Sequence, residues 1–110
     1  MTTITTTIAA DQHVATLINV FTVTRETQQQ LVDLLVEATE QAMRHRPGFV
    51  SANIHASLDG TRVVNYAQWC SREDFEAMLS DPVARQHMSA AGDLATAEPH
   101  LYQVASVQHA

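Results

Sequence analysis

Phe49-Val-Ser-Ala-Asn-Ile-His-Ala-Ser57, then Leu58-Asp59-Gly60, then Thr61-Arg-Val-Val-Asn-Tyr-Ala-Gln-Trp-Cys70 reads as one β-hairpin. Both long runs suit strands, and Asp59-Gly60 between them is a type I′ turn signal. A two-residue loop pairs Leu58 with Thr61. It sets Ile54 opposite Asn65, Ala52 opposite Ala67, and Val50 opposite Trp69. Residues two apart on a strand share a face. Asn65, Ala67 and Trp69 therefore form one row, spread over roughly 13 Å. Ala52 and Ala56 of the neighbouring strand extend the same surface. Small residues between an amide and an indole leave a hollow. Asn is depleted in strands, and a buried amide without partners costs about 1–3 kcal/mol, so Asn65 calls for a reason.

Upstream, Val14–Thr24 reads as a strand with Ala15, Leu17, Phe21 and Val23 on one face and Val14, Ile18 and Val20 on the other. Both faces are apolar, so both are expected to be covered. Asn19 breaks the pattern on the Leu17/Phe21 face. A helix is expected over Glu26–His45. Thr27 and Gln30 suggest a capping box, and Leu31, Leu34, Leu35, Ala38 and Ala42 form its apolar stripe. Arg44-His45-Arg46 places positive charge at its C-terminus, and Pro47-Gly48 stops it. Downstream, Ser71 with Asp74 caps a short helix whose inner side is Phe75, Met78 and Leu79. Asp81-Pro82 opens another helix running to about Ala91. Gly92 and Pro99 bound a loop, and Leu101–Val107 is the last strand. The order strand, helix, strand, strand, helix, strand is the ferredoxin-like βαββαβ pattern of an α+β protein. Helices on one face leave the other bare, carrying Val64, Tyr66, Gln68, Asn53 and His55. The economical cover is a second copy packed face to face, a dimeric α+β barrel.

Composition bounds the function. The chain has 110 residues, enough for one domain but not for a nucleotide-binding half with a substrate domain. Residues 1–12 read as a flexible Thr-rich tail and 13–110 as the domain. The hydrophobic share of 45% and charged share of 16% suit a globule. A net charge of −6 argues against nucleic acid or an anionic membrane as partner. Cys70 is the single cysteine, which excludes an internal disulfide and fits a cytoplasmic, reducing compartment. No run approaches the about 18 apolar residues of a membrane span, and no secretory leader is visible. There is no GxGxxG or P-loop motif. The six histidines show no i,i+3 or i,i+4 pair, so no metal is expected.

His55-Ala-Ser-Leu-Asp-Gly-Thr-Arg-Val-Val-Asn-Tyr-Ala-Gln-Trp69 resembles the hairpin of the antibiotic biosynthesis monooxygenase family. It is most similar to the small cofactor-independent anthrone oxygenases of aromatic polyketide pathways, such as actinorhodin and nogalamycin assembly. The likeness runs from about Leu17 to Val107, and Leu17-Ile-Asn-Val-Phe-Thr-Val23 resembles the family's first strand, where an Asn recurs. It implies a homodimer that needs no cofactor and converts an anthrone-like or polyphenolic substrate to a quinone with O₂. It implies Asn19, Asn65 and Trp69 as functional residues. Phe75 and Met88 stand where actinorhodin-type members carry a Tyr and an Arg, so the pattern of two Asn and one Trp in nogalamycin-type members fits better. A related branch degrades haem with an Asn, a Trp and a ligating His; Asn19 and His87 match two of these, and Met78 replaces the Trp. A non-catalytic module binding an aromatic metabolite is the other alternative. Phe21, Ala52, Ala67, Phe75 and Met78 are expected to line the pocket. His87, on the helix face of Val83, is the candidate general base. His55 falls on the opposite sheet face and would reach the pocket only through a bulge in the hairpin.

Overall fold

A computed structural model describes residues 3–110. The elements are β1 (Ala15–Thr22), α1 (Gln28–Gln41), β2 (Phe49–Ala56), β3 (Arg62–Trp69), α2 (Arg72–Met78), α3 (Pro82–Leu94) and β4 (Thr96–Tyr102). The strands form one antiparallel sheet in the order β2-β3-β1-β4. This is the ferredoxin-like α+β arrangement, with the second helical crossover divided into α2 and α3. The helices cover the face carrying Leu17, Phe21, Val63, Ala67 and Trp69, which is where the buried core sits.

The ends of α1 differ from expectation. Thr27 does not cap the helix; its hydroxyl instead accepts from the Thr24 amide at 3.1 Å. The α-helix stops at Gln41, and Met43–His45 follow as a 3₁₀ turn. The basic run therefore lies beyond the α-helix, where Arg46 reaches Asp81 at 3.6 Å. Gly48 then turns the chain with φ 83°.

The hairpin closes differently as well. Ser57 N–H donates to the Arg62 carbonyl at 3.0 Å, and Gly60 N–H to the Ser57 carbonyl at 3.1 Å. Leu58–Thr61 is thus a four-residue loop. Only Gly60 among its residues has a positive φ, and a type I′ turn needs two. Opening the Leu58/Thr61 pair leaves the register intact: Ile54 faces Asn65 and Ala52 faces Ala67. At the other end the register slips by one residue, and Phe49 rather than Val50 faces Trp69. Val50 is the extra residue of a bulge and lies exposed.

α3 continues through Gly92 to Leu94, and β4 begins at Thr96, ahead of the expected strand. Pro99, expected to bound a loop, lies inside β4 opposite Asn19. β4 pairs only with β1, and an edge strand tolerates a residue without an N–H.

Across the sheet, the expected bare face is partly covered. Of the tail expected over 1–12, residues 1 and 2 lie outside the described residues. The chain from 3 to 13 contains no helix or strand, but it lies against the outer face. The Thr6 hydroxyl bonds Asn53 Oδ1, and Gln68 Nε2 donates to the Thr7 carbonyl at 2.8 Å. Gln68 and Thr16 are buried there.

Candidate active site

The sheet face beneath the helices is built in rows across its strands. Phe49, Trp69 and Ala15 form one row; Ala52, Ala67, Leu17 and Leu101 the next; Ile54, Asn65, Asn19 and Pro99 the third. Alanines in the middle row leave a space between the indole and the amides. That space is a cavity of about 380 Å³, within the range of small-molecule sites. Helices α1, α2 and α3 and the 3₁₀ turn after α1 roof it, with Leu35, Thr39, Met43, Met78 and His87 among others.

The aromatic end is rigid. The Trp69 ring is 5.5 Å from Phe49 at 85° and 6.2 Å from Phe75 at 69°, both edge-to-face. Met78 is buried beside them. Such aromatic pairs contribute about 0.5–1.5 kcal/mol beyond area burial.

The polar part is the Asn19/Asn65 pair. The two residues face each other directly across β1 and β3. Each Oδ1 is inaccessible to water and has no hydrogen-bond partner among the described residues. The remaining lining carries no carboxylate, ammonium or guanidinium. His87 adds an imidazole from α3, and His100, which was not singled out from the sequence, adds another from β4 at the exposed rim. The His87 Nδ1 lies 2.9 Å from the Val83 carbonyl. A carbonyl only accepts, so Nδ1 carries a hydrogen, and in the neutral ring Nε2 is the acceptor. Thr39 donates its hydroxyl to the Leu35 carbonyl at 2.8 Å and offers the cavity little.

All nine residues singled out from the sequence line this cavity: Asn19, Asn65, Trp69 and His87, with Phe21, Ala52, Ala67, Phe75 and Met78. His55 does not. The bulge falls at Val50, too far along the strand to turn His55, which faces Val64 and bonds the Asn53 carbonyl at 3.1 Å. Ala56, opposite Val63, also lies outside the lining. Phe49 was missed because only the bulge places it opposite Trp69. Leu101 and Pro99 were missed because the last strand starts earlier than its sequence suggests. Among the described residues no three His, Cys, Asp or Glu side chains come together as a metal site, and no helix is long and apolar enough to cross a membrane.

Fold and cavity define a small α+β protein with an aromatic-walled pocket between sheet and helices. The chain belongs to the antibiotic biosynthesis monooxygenase family, whose profile matches residues 14–90. It is 46% identical over 98 residues to the tetracenomycin-F1 monooxygenase of Streptomyces glaucescens, covering 89% of this chain and 88% of that one. Its structure matches the ActVA-Orf6 monooxygenase of Streptomyces coelicolor, solved with nanaomycin D, at a TM-score of 0.76 and 28% identity over 89% of this chain and 92% of that one. SnoaB of Streptomyces nogalater, a cofactor-independent oxygenase, shares the fold at a TM-score of 0.75 and 23% identity, over 86% of this chain and 96% of that one.

Proposed function

We propose that the protein is a cofactor-independent monooxygenase that oxidises an anthrone-like or polyphenolic aromatic polyketide to a quinone with O₂. The observation that carries this reading is the Asn19/Asn65 pair, two facing amides with unpartnered oxygens on the wall of an apolar cavity. The relatives support it, one being a tetracenomycin-F1 monooxygenase and another a monooxygenase solved with nanaomycin D.

The chemistry follows from the substrate class. A methylene flanked by aromatic rings and conjugated to a carbonyl ionises to an electron-rich enolate. The enolate gives one electron to O₂, the radical pair recombines to a peroxide anion on the former methylene carbon, and the proton first taken by the base returns to it to give the hydroperoxide. Loss of water leaves a carbonyl there, so CH₂ and O₂ become C=O and H₂O. Catalysis then requires a base, donors for the enolate and peroxide oxygens, and a flat apolar slot. His87 Nε2 takes the first proton. The NH₂ groups of Asn19 and Asn65 donate to the developing oxyanions, which lowers the barrier most in a dry site. Trp69 offers the substrate a stacking face, while Phe21, Phe75, Met78, Ala52 and Ala67 shape the slot.

The protein works as a homodimer in the cytoplasm. The outer sheet face supports the first part, because Ile18, Val20, Val64 and Tyr66 remain half-exposed on it. The free Cys70 thiol supports the second.

Oxygen uptake with dithranol, an anthrone, tests the reading. Wild type should consume O₂ and form the quinone. Asn65→Ala and Trp69→Phe should lower the rate tenfold or more while circular dichroism is preserved, since one oxyanion donor is worth about 10²–10³ in rate. His87→Gln should flatten the pH–rate profile. Wild-type rates in the first two variants would remove those residues from the site. Binding without O₂ uptake would make the protein a non-catalytic module, and a Soret band with haemin would point to haem chemistry.

A further inference from the structure

Gly92 lies inside α3, two residues before its end. A glycine in a helix interior is about 0.8–1.0 kcal/mol less favourable than alanine. Two ordinary reasons for such a glycine are missing. Its φ is not positive, unlike those of Gly48 and Gly60. No neighbour presses on it either, since an added Cβ would meet nothing within 4 Å. What remains is that Gly92 lines the cavity. The exposed lining residues Leu79, Met88, Gly92, Ala97, Pro99 and His100 mark the cavity mouth, between the helices and the edge strand β4. Along the cavity side of α3, His87 and Met88 are followed by Ala91, Gly92 and Ala95. Ala97, the second residue of β4, lies opposite Phe21 and lines the same end. Aromatic bulk is thus concentrated at the Trp69 end, while at the α3–β4 end Ala91, Gly92, Ala95 and Ala97 leave a thin stretch of wall between Met88 and His100.

We propose that Gly92 is a specificity-determining residue: the bare backbone there, with Ala95 and Ala97, forms a subsite for the ring that a linear fused polycyclic substrate extends beyond the amide pair. This deepens the oxygenase reading, but it is a statement about shape and can be tested by binding alone. Trp69 is the only tryptophan of the chain, so quenching of its fluorescence reports occupancy of the cavity without turnover. Dithranol, with three fused rings, is compared with a hydroxylated tetracenone, which has four. Gly92→Leu should weaken tetracenone binding at least tenfold more than dithranol binding, since single methylenes in a hydrophobic pocket are worth about 10–200-fold. Gly92→Ala should melt at a higher temperature than wild type, which shows that the glycine is not kept for stability. Equal loss of both ligands, or no loss of either, in a folded Gly92→Leu protein would overturn the subsite. If wild type binds both ligands without consuming O₂, while Gly92→Leu still discriminates, the subsite stands and the oxygenase reading falls.

Discussion

Asn19 and Asn65 illustrate how function and stability oppose each other at single positions. Directly opposed strand residues have Cβ atoms about 4.5–5.5 Å apart, so the two amides share one small volume. Each buried oxygen without a partner costs about 1–3 kcal/mol. Leucine has similar volume and no polar atom. Asn65→Leu should therefore abolish quinone formation yet raise Tm by roughly 5 °C or more, by the scaling for a domain of this size. A melt unchanged or lowered would show that the amide oxygen does not carry this cost in the folded protein. Each Asn was legible on its own as a polar residue in an apolar strand row. Their opposition was not, because pairing of β1 with β3 joins residues 46 positions apart. Phe49 was hidden for a similar reason, since a one-residue bulge moves it onto Trp69.

Among the elements, the hairpin loop gathers the most side-chain hydrogen bonds. Ser57 Oγ donates to Asp59 Oδ1 at 2.8 Å and accepts from the Arg62 amide at 2.9 Å. Asp59 Oδ1 also accepts from the Thr61 hydroxyl at 2.7 Å and amide at 3.0 Å. The Thr61 bonds, with help from Ser57, hold the Asp59 carboxyl at about 2, below its ordinary 3.8. A carboxyl lowered on folding adds stability above its unfolded value and loses it as protons return. The loop should accordingly keep this contribution above pH 3.8 and lose it as pH falls from there through about 2. NMR titration of Asp59 should give a midpoint near 2, and a midpoint near 3.8 would mean that the loop bonds are not maintained. The Asp-Gly dipeptide announced a turn here but not its length, because four hydrogen bonds to two side-chain acceptors, Ser57 Oγ and Asp59 Oδ1, compete with a type I′ geometry. At α3 the local signals held: the Asp81 carboxylate accepts from the Val83 and Ala84 amides at 2.8 and 3.0 Å, as its place before Pro82 implies. Its C-terminal end was misread, since Gly92 marks the cavity rather than a helix stop.

At the scale of the whole molecule, the proposed dimer would form through the outer sheet face. Residues 6 and 7 cover the edge near Asn53 and Gln68, while Ile18, Val20, Val64 and Tyr66 lie beyond them. Light scattering at micromolar concentration should report twice the chain mass, and Val64→Glu should halve it by placing a charge in an apolar contact. A monomeric wild type would remove the dimer. The order of elements and the face shared by Asn65, Ala67 and Trp69 followed from the chain alone, because strand alternation, helical spacing and Asp-Pro capping are local properties. The strand order β2-β3-β1-β4, the bulge at Val50, Pro99 within an edge strand, the folding of the tail over the sheet and the closure of the cavity belong to the tertiary structure. Each depends on contacts between distant segments competing for the same surface, and short-range pattern carries no term for that competition.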